Sequence, residues 1–152
     1  MQPAPSIETK VPGSTRKIRL IPIANDIDVD VQLEHRWKGL IWYSTYLVAF
    51  KGRYTIKNET GIVQAARLHF SFPSQSATYE ALGFYIDDHE HDVDIDTAEG
   101  IRRIITLAPG ATRSFELRYR TRGLSSWHYR LAPDSGRTKN LHLTVKTNFF
   151  GY

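Results

Sequence analysis

The sequence predicts an all-β fold, an immunoglobulin-like antiparallel β-sandwich of about nine strands. Three observations lead there. Apolar and polar residues alternate with period two in stretch after stretch, which places apolar side chains on one face of a strand. Helical periodicity is almost absent. Turn-forming residues recur at short spacing between the alternating runs, as in sandwiches and barrels. The chain has 152 residues, the size of one domain, and burying each Leu, Val or Phe side chain on such faces contributes roughly 1.5–3 kcal/mol.

In chain order, residues 1–13 are polar and Pro-containing and read as a flexible N-terminal linker, leaving 14–152 as a single β-sandwich domain. Residues 16–23 form a short candidate strand. Ile27, Val29, Val31 and Leu33 then alternate with Asp26, Asp28, Asp30 and Gln32. Tyr46, Val48, Phe50, Tyr54 and Ile56 share one face of a long strand, with Gly52 as an expected bulge or bend. Asn58-Glu59-Thr60-Gly61 reads as a hairpin turn, with Gly61 able to take positive φ. Ala66, Leu68, Phe70 and Phe72 make the next stripe, followed by shorter candidates at 79–86 and 101–107. Phe115, Leu117 and Tyr119 face one way and Arg118, Arg120 and Arg122 the other. After a candidate at 126–131 and a turn at Pro133-Asp134-Ser135-Gly136, the last stripe is Leu141, Leu143, Val145 and Phe149.

Composition excludes several classes. The chain has no cysteine, so disulfide scaffolds and thiolate metal or redox chemistry are out. No run of eighteen or more apolar residues exists, as a membrane-spanning helix would require. The sequence lacks a Gly-x-Ser-x-Gly elbow, a His-Glu-x-x-His pair and a phosphate loop, so no catalytic residue is assigned. The net charge of +4 is unevenly spread: residues 87–99 hold seven of the sixteen acids, whereas ten Lys and Arg face two acids from Gly100 onward.

Three clusters are candidate sites. His89 and His91, two apart on a strand, point the same way, and with Asp92 they offer ligands to a divalent metal such as Zn²⁺. A calcium loop through Asp92, Asp94 and Asp96 fails for want of a glycine at its sixth position. The competing reading is a solvated acidic loop whose charge is countered by the Arg-rich last third of the chain. Arg118, Arg120 and Arg122 form a ladder suited to phosphate, anionic lipid head groups or nucleic acid, or else pair with Asp26, Asp28 and Asp30 across the sheet or with the acidic segment. Nucleic acid is not expected, because no recognition motif accompanies the charge. The third cluster is aromatic and basic: His35, Arg36, Trp37, Trp42 and Tyr43, with Arg122, Trp127 and His128. Such residues form ligand or partner surfaces, sit at membrane interfaces, or plug the core between two sheets.

Three stretches carry a resemblance. Leu33–Tyr43 (LEHRWKGLIWY), Tyr119–Tyr129 (YRTRGLSSWHY) and Asn140–Phe149 (NLHLTVKTNF) resemble, in order and spacing, the extracytoplasmic domain of bacterial inner-membrane proteins of the CreD type or a relative. The resemblance implies a β-rich domain on the periplasmic side of the inner membrane, tethered by flanking membrane helices. The apolar ending Asn148-Phe149-Phe150-Gly151-Tyr152 agrees with a piece of a longer protein. The expected function is therefore non-catalytic: binding, sensing or contact with other envelope proteins or a small ligand, without a cofactor. The alternative is a metal-binding module or metal-dependent hydrolase built on segment 87–96.

Overall fold

The structure, a computed structural model, describes residues 2–10, 16–93, 96–124, 126–131 and 138–149. All regular structure among them is β. The strands are β1 (Gln2–Pro3), β2 (Ser6–Lys10), β3 (Lys17–Arg19), β4 (Ala24–Lys38), β5 (Ile41–Lys57), β6 (Gln64–Phe70), β7 (Thr78–Ile86), β8 (His89–His91), β9 (Ile101–Leu107), β10 (Thr112–Leu124), β11 (Tyr129–Arg130) and β12 (Leu141–Thr147). A six-stranded sheet runs β12-β4-β5-β10-β7-β8, a four-stranded sheet β3-β2-β6-β9, and β1 pairs with β11. The alternating stripes meet between the two larger sheets in one core. Phe70 of the smaller sheet packs against Tyr54, Phe84 and Phe115 of the larger, with ring centroids 5.4–6.0 Å apart.

Among the described residues twelve strands stand where about nine were expected, and the pairing is not purely antiparallel. β1 runs parallel to β11 and β12 parallel to β4. A strand that reaches a free sheet edge from a distant part of the chain is not bound to the antiparallel geometry of a hairpin. β12 is held to β4 at both ends by asparagines. Asn25 Nδ2 donates to the Lys139 carbonyl at 2.9 Å, Asn140 Nδ2 donates to the Ile23 carbonyl at 2.8 Å, and the Leu33 amide donates to Asn148 Oδ1 at 2.8 Å.

The N-terminal segment expected as a linker is instead built into the fold over residues 2–10; residues 11–13 lie outside those described. Ile7 joins the core, and Gln2 is 2% exposed. Gln2 Oε1 accepts from the Tyr119 hydroxyl at 2.6 Å, and its Nε2 donates to the Ser71 carbonyl at 2.8 Å. A buried amide requires such partners, and here it finds them in both layers.

Two turn expectations change. Asn58–Gly61 does not close a hairpin: β5 and β6 belong to different sheets, and the segment arches between them. Asn58 is buried, with Nδ2 donating to the carbonyls of Ile62, Leu107 and Ala108 at 2.8–3.1 Å, so the side chain ties this arch to the one after β9. At Gly52 the ladders are regular, Ile27↔Gly52↔Leu117, with no bulge. The missing side chain serves packing instead. A Cβ there would stand 2.8 Å from the Phe50 ring and 2.9 Å from the Tyr54 hydroxyl, which converge over the glycine. The turn expected at 133–136 lies outside the described residues.

Candidate site at the β4–β5 arm

β4 pairs with β5 along its whole length, from Ala24↔Thr55 to Lys38↔Ile41. Their neighbours stop short. β10 leaves β5 at Leu124↔Tyr46, and β12 leaves β4 at Thr147↔Val31. The pairs from Glu34↔Thr45 to Lys38↔Ile41 therefore project as a two-stranded arm, about 17 Å long at 3.4 Å per residue. The turn is Gly39-Leu40, with Gly39 at φ 64°. Glycine in the first of two turn positions suits a type II′ turn, whose twist matches that of the flanking strands.

Beyond its root, where Thr45 is buried, the arm opens to solvent: Leu40 is 95% exposed, Ile41 70%, and Trp37 and Trp42 55% each. Trp37 and Trp42 face each other across the ladder with ring centroids 3.8 Å apart. His35 lies edge-on to Trp42 at 6.4 Å, and its Nδ1 is 3.4 Å from Ser44 Oγ. The opposite face carries Arg36, Lys38, Ile41 and Tyr43. At the arm's root, Glu34 lies 3.7 Å from Arg36 and 3.9 Å from Arg122.

The structure thus brings together His35, Arg36, Trp37, Trp42, Tyr43 and, at the root, Arg122. Trp127 is elsewhere. It is half-buried against the core, 6.1 Å from Phe50 and stacked on Tyr129 at 6.3 Å. His128 is exposed, and its carbonyl accepts from the Gln2 amide at 2.6 Å. Beside them, the Tyr129 hydroxyl lies 2.8 Å from that of Tyr54. Burial pushes the pKa of Tyr129 up to about 12 and raises those of Tyr54 and Tyr119 as well.

The arginine ladder lies on the outer face of the six-stranded sheet, beside a shallow groove of about 600 Å³ also lined by Asp28, Asp30, Lys51, Tyr85 and Lys146. Arg118 is engaged: it contacts Glu116 at 2.6 Å and lies 4.6 Å above the Tyr85 ring. Arg122 shares Glu34. Among the described residues Arg120 has no carboxylate within 4 Å. The alternative pairing with Asp26, Asp28 and Asp30 does not form, because β5 lies between β4 and β10 and sets Arg53, Lys51 and Ala49 opposite those acids.

The acidic segment is mainly a turn with counter-charges. Asp87 and Asp88, at φ 48° and 66°, make the two-residue connection between Ile86 and His89. Asp88 pairs with Arg53 at 2.6 Å, and this guanidinium holds its carboxyl below the usual range. Asp87 pairs with Arg113 at 2.5 Å, and Arg103 donates to the Asp92 carbonyl. Asp96 accepts from the amides of Ala98 and Glu99. His89 and His91 share a face of β8, with His89 Nδ1 2.9 Å from the Asp87 carbonyl. Among the described residues no three His, Asp or Glu side chains converge on a metal position; Asp94 lies outside them.

The arm itself went unread in the sequence. Its signal was Gly39-Leu40 between two β-rich runs, a glycine-first turn pair that predicts a II′ hairpin.

No protein family matches the chain, and neither does any curated protein. Among solved structures, one described as a "putative nutrient binding protein" from Legionella pneumophila aligns with 76% of this chain at 9% identity and a TM-score of 0.30. The alignment spans 43% of that protein's length.

Proposed function

We propose that the chain is a non-catalytic interaction domain of a bacterial envelope protein, with the β4–β5 arm as its contact element. One observation carries this reading: the arm holds the largest exposed aromatic and aliphatic side chains of the described residues at the end of a ladder that no other strand supports. Exposed apolar groups gathered in one place mark contact surfaces. A sandwich that rigidly holds one projecting hairpin suits presentation of that hairpin better than enclosure of a substrate. The periplasmic side of the inner membrane, a tether of flanking membrane helices and the immunoglobulin-like relation belong to the same proposal. They are supported by the three stretches of resemblance and by two β-sheets packed over one core. The metal-dependent alternative has less in its favour, since Asp87 and Asp88 are committed to arginines.

The absence of cysteine from these 152 residues supplies a direct test. Single Leu40→Cys and Glu59→Cys variants of the full-length protein, with any cysteine in its flanking segments replaced by serine, are treated with a membrane-impermeant maleimide in spheroplasts and again as purified domain. Glu59 is exposed in the arch at the end of β5 remote from the arm. Both sites should react in spheroplasts, with Leu40→Cys reacting more slowly there than in the purified domain and Glu59→Cys unchanged. Labelling only after lysis defeats the extracytoplasmic placement, and equal rates for Leu40→Cys in both settings defeat the contact role.

A further inference from the structure

We infer that the arm's tip docks into an anionic lipid surface. This inference rests on the contact role proposed above and names its partner.

The first argument is the order of chemistry along the arm. Leu40 and Ile41, the most exposed apolar residues of the described chain, stand at the end. Next come the indoles of Trp37 and Trp42 and the phenol of Tyr43. The cations stand on either side of the indoles, Lys38 opposite Ile41 in the rung nearest the turn and Arg36 opposite Tyr43 in the rung behind, and the nearest acid, Glu34, stays at the root between Arg36 and Arg122. The Trp pair lies about two residues, hence roughly 7 Å, behind the turn. That matches the roughly 5–10 Å to which interfacial elements enter the boundary between headgroups and acyl chains. With Leu40 and Ile41 at the acyl boundary, the indoles reach the headgroup level where Trp and Tyr concentrate, Arg36 faces phosphate, and the long stem of Lys38 carries its ammonium back to the same level.

The second argument is symmetry about the arm's axis. Trp37 and Trp42 project from one face, Ile41 and Tyr43 from the other. A partner protein with a groove covers one face of a hairpin. A bilayer interface surrounds the tip and buries both faces at once. Entry remains shallow, because the amides and carbonyls of an open two-stranded ladder keep their need for water or headgroup partners.

The test uses the 152-residue chain with two kinds of vesicle, equimolar phosphatidylglycerol and phosphatidylcholine, or phosphatidylcholine alone. Partition is read by co-sedimentation, and depth by quenching of tryptophan fluorescence with bromine-labelled lipid. Partition should be at least about tenfold greater into the anionic vesicles. Leu40→Asp with Ile41→Asp should lower it at least about tenfold, and Arg36→Gln and Lys38→Gln about fivefold each. Arg120→Gln, on the outer sheet face, should leave it unchanged. Lys38, Leu40 and Ile41 are exposed and the Arg36 side chain is partly so, so an unchanged melting temperature verifies the fold of each variant. No partition into anionic vesicles overturns the inference, as does partition that survives the Leu40→Asp/Ile41→Asp change or falls with Arg120→Gln. If partition is absent while Leu40→Cys remains protected in spheroplasts, the partner is a protein and the contact role stands; if both fail, that role fails too.

Discussion

The two halves of the β4–β5 ladder are written in the same alphabet and meet opposite fates. From Ala24 to Leu33 and from Tyr46 to Lys57 the strands are flanked by β12 and β10, and the face bearing Ile27, Val29, Val48, Phe50 and Tyr54 is buried. From His35 to Lys38 and from Ile41 to Ser44 the same strands continue in register, with aromatic residues on both faces, and stand mostly in solvent, beyond a root at which Thr45 is still buried. The difference teaches that period two specifies a pleated strand and its faces. Burial requires a second layer, and the four-stranded sheet ends before the arm begins.

The largest expected contrast comes from truncating one aromatic in each half. Phe50 stacks on Tyr119 at 5.0 Å and lies near Trp127 and Tyr129. Phe50→Ala should cost about 3–5 kcal/mol of folding stability in urea titration, through lost burial and the cavity left behind.

Alkaline titration should come next in size and belongs wholly to the buried half. Tyrosine loses its proton near pH 10 in an unfolded chain, whereas Tyr129 holds its proton to about 12. The unfolded state therefore ionises first as pH rises. The stabilisation is fully present below about pH 10 and is lost between there and about 12, roughly 2–3 kcal/mol for this residue alone. Urea midpoints measured across that range should fall, and Tyr129→Phe should fall less steeply. A Tyr129→Phe slope equal to that of the parent would show that the hydroxyl is not shielded.

The smallest effect belongs to the arm. Trp42→Ala removes one cross-strand aromatic pair and should cost about 1 kcal/mol or less. A loss comparable to that of Phe50→Ala would mean that the arm is part of the folding unit rather than an appendage, and would erase the distinction between the halves.

Much of the fold was legible because it depends on local pattern. The stripes through Ile27–Leu33, Tyr46–Ile56, Ala66–Phe70 and Phe115–Tyr119 all form strands with the expected faces. The stripe Leu141–Val145 also alternates as read, and it shares the face of Ile27 and Val29, yet its side chains are exposed because β12 lies at the sheet edge. Gln2 escaped notice because a polar residue near a terminus gives no hint that a tyrosine 117 positions away will supply its hydrogen bond. The site was half visible. His35, Arg36, Trp37, Trp42 and Tyr43 do gather on one element, whereas Trp127 belongs to the core.

The sequence by itself determined the all-β character, the faces of the strands, the lack of cysteine chemistry and the crowding of aromatic and basic residues between Glu34 and Tyr46. These follow from side-chain period, turn residues and composition, which act over a few positions. Only the tertiary structure decided the strand order, the parallel edges, the burial of the N-terminal segment and the projection of the arm. Those depend on which strands become neighbours and where each one stops, and such choices are made by contacts between residues far apart in the chain.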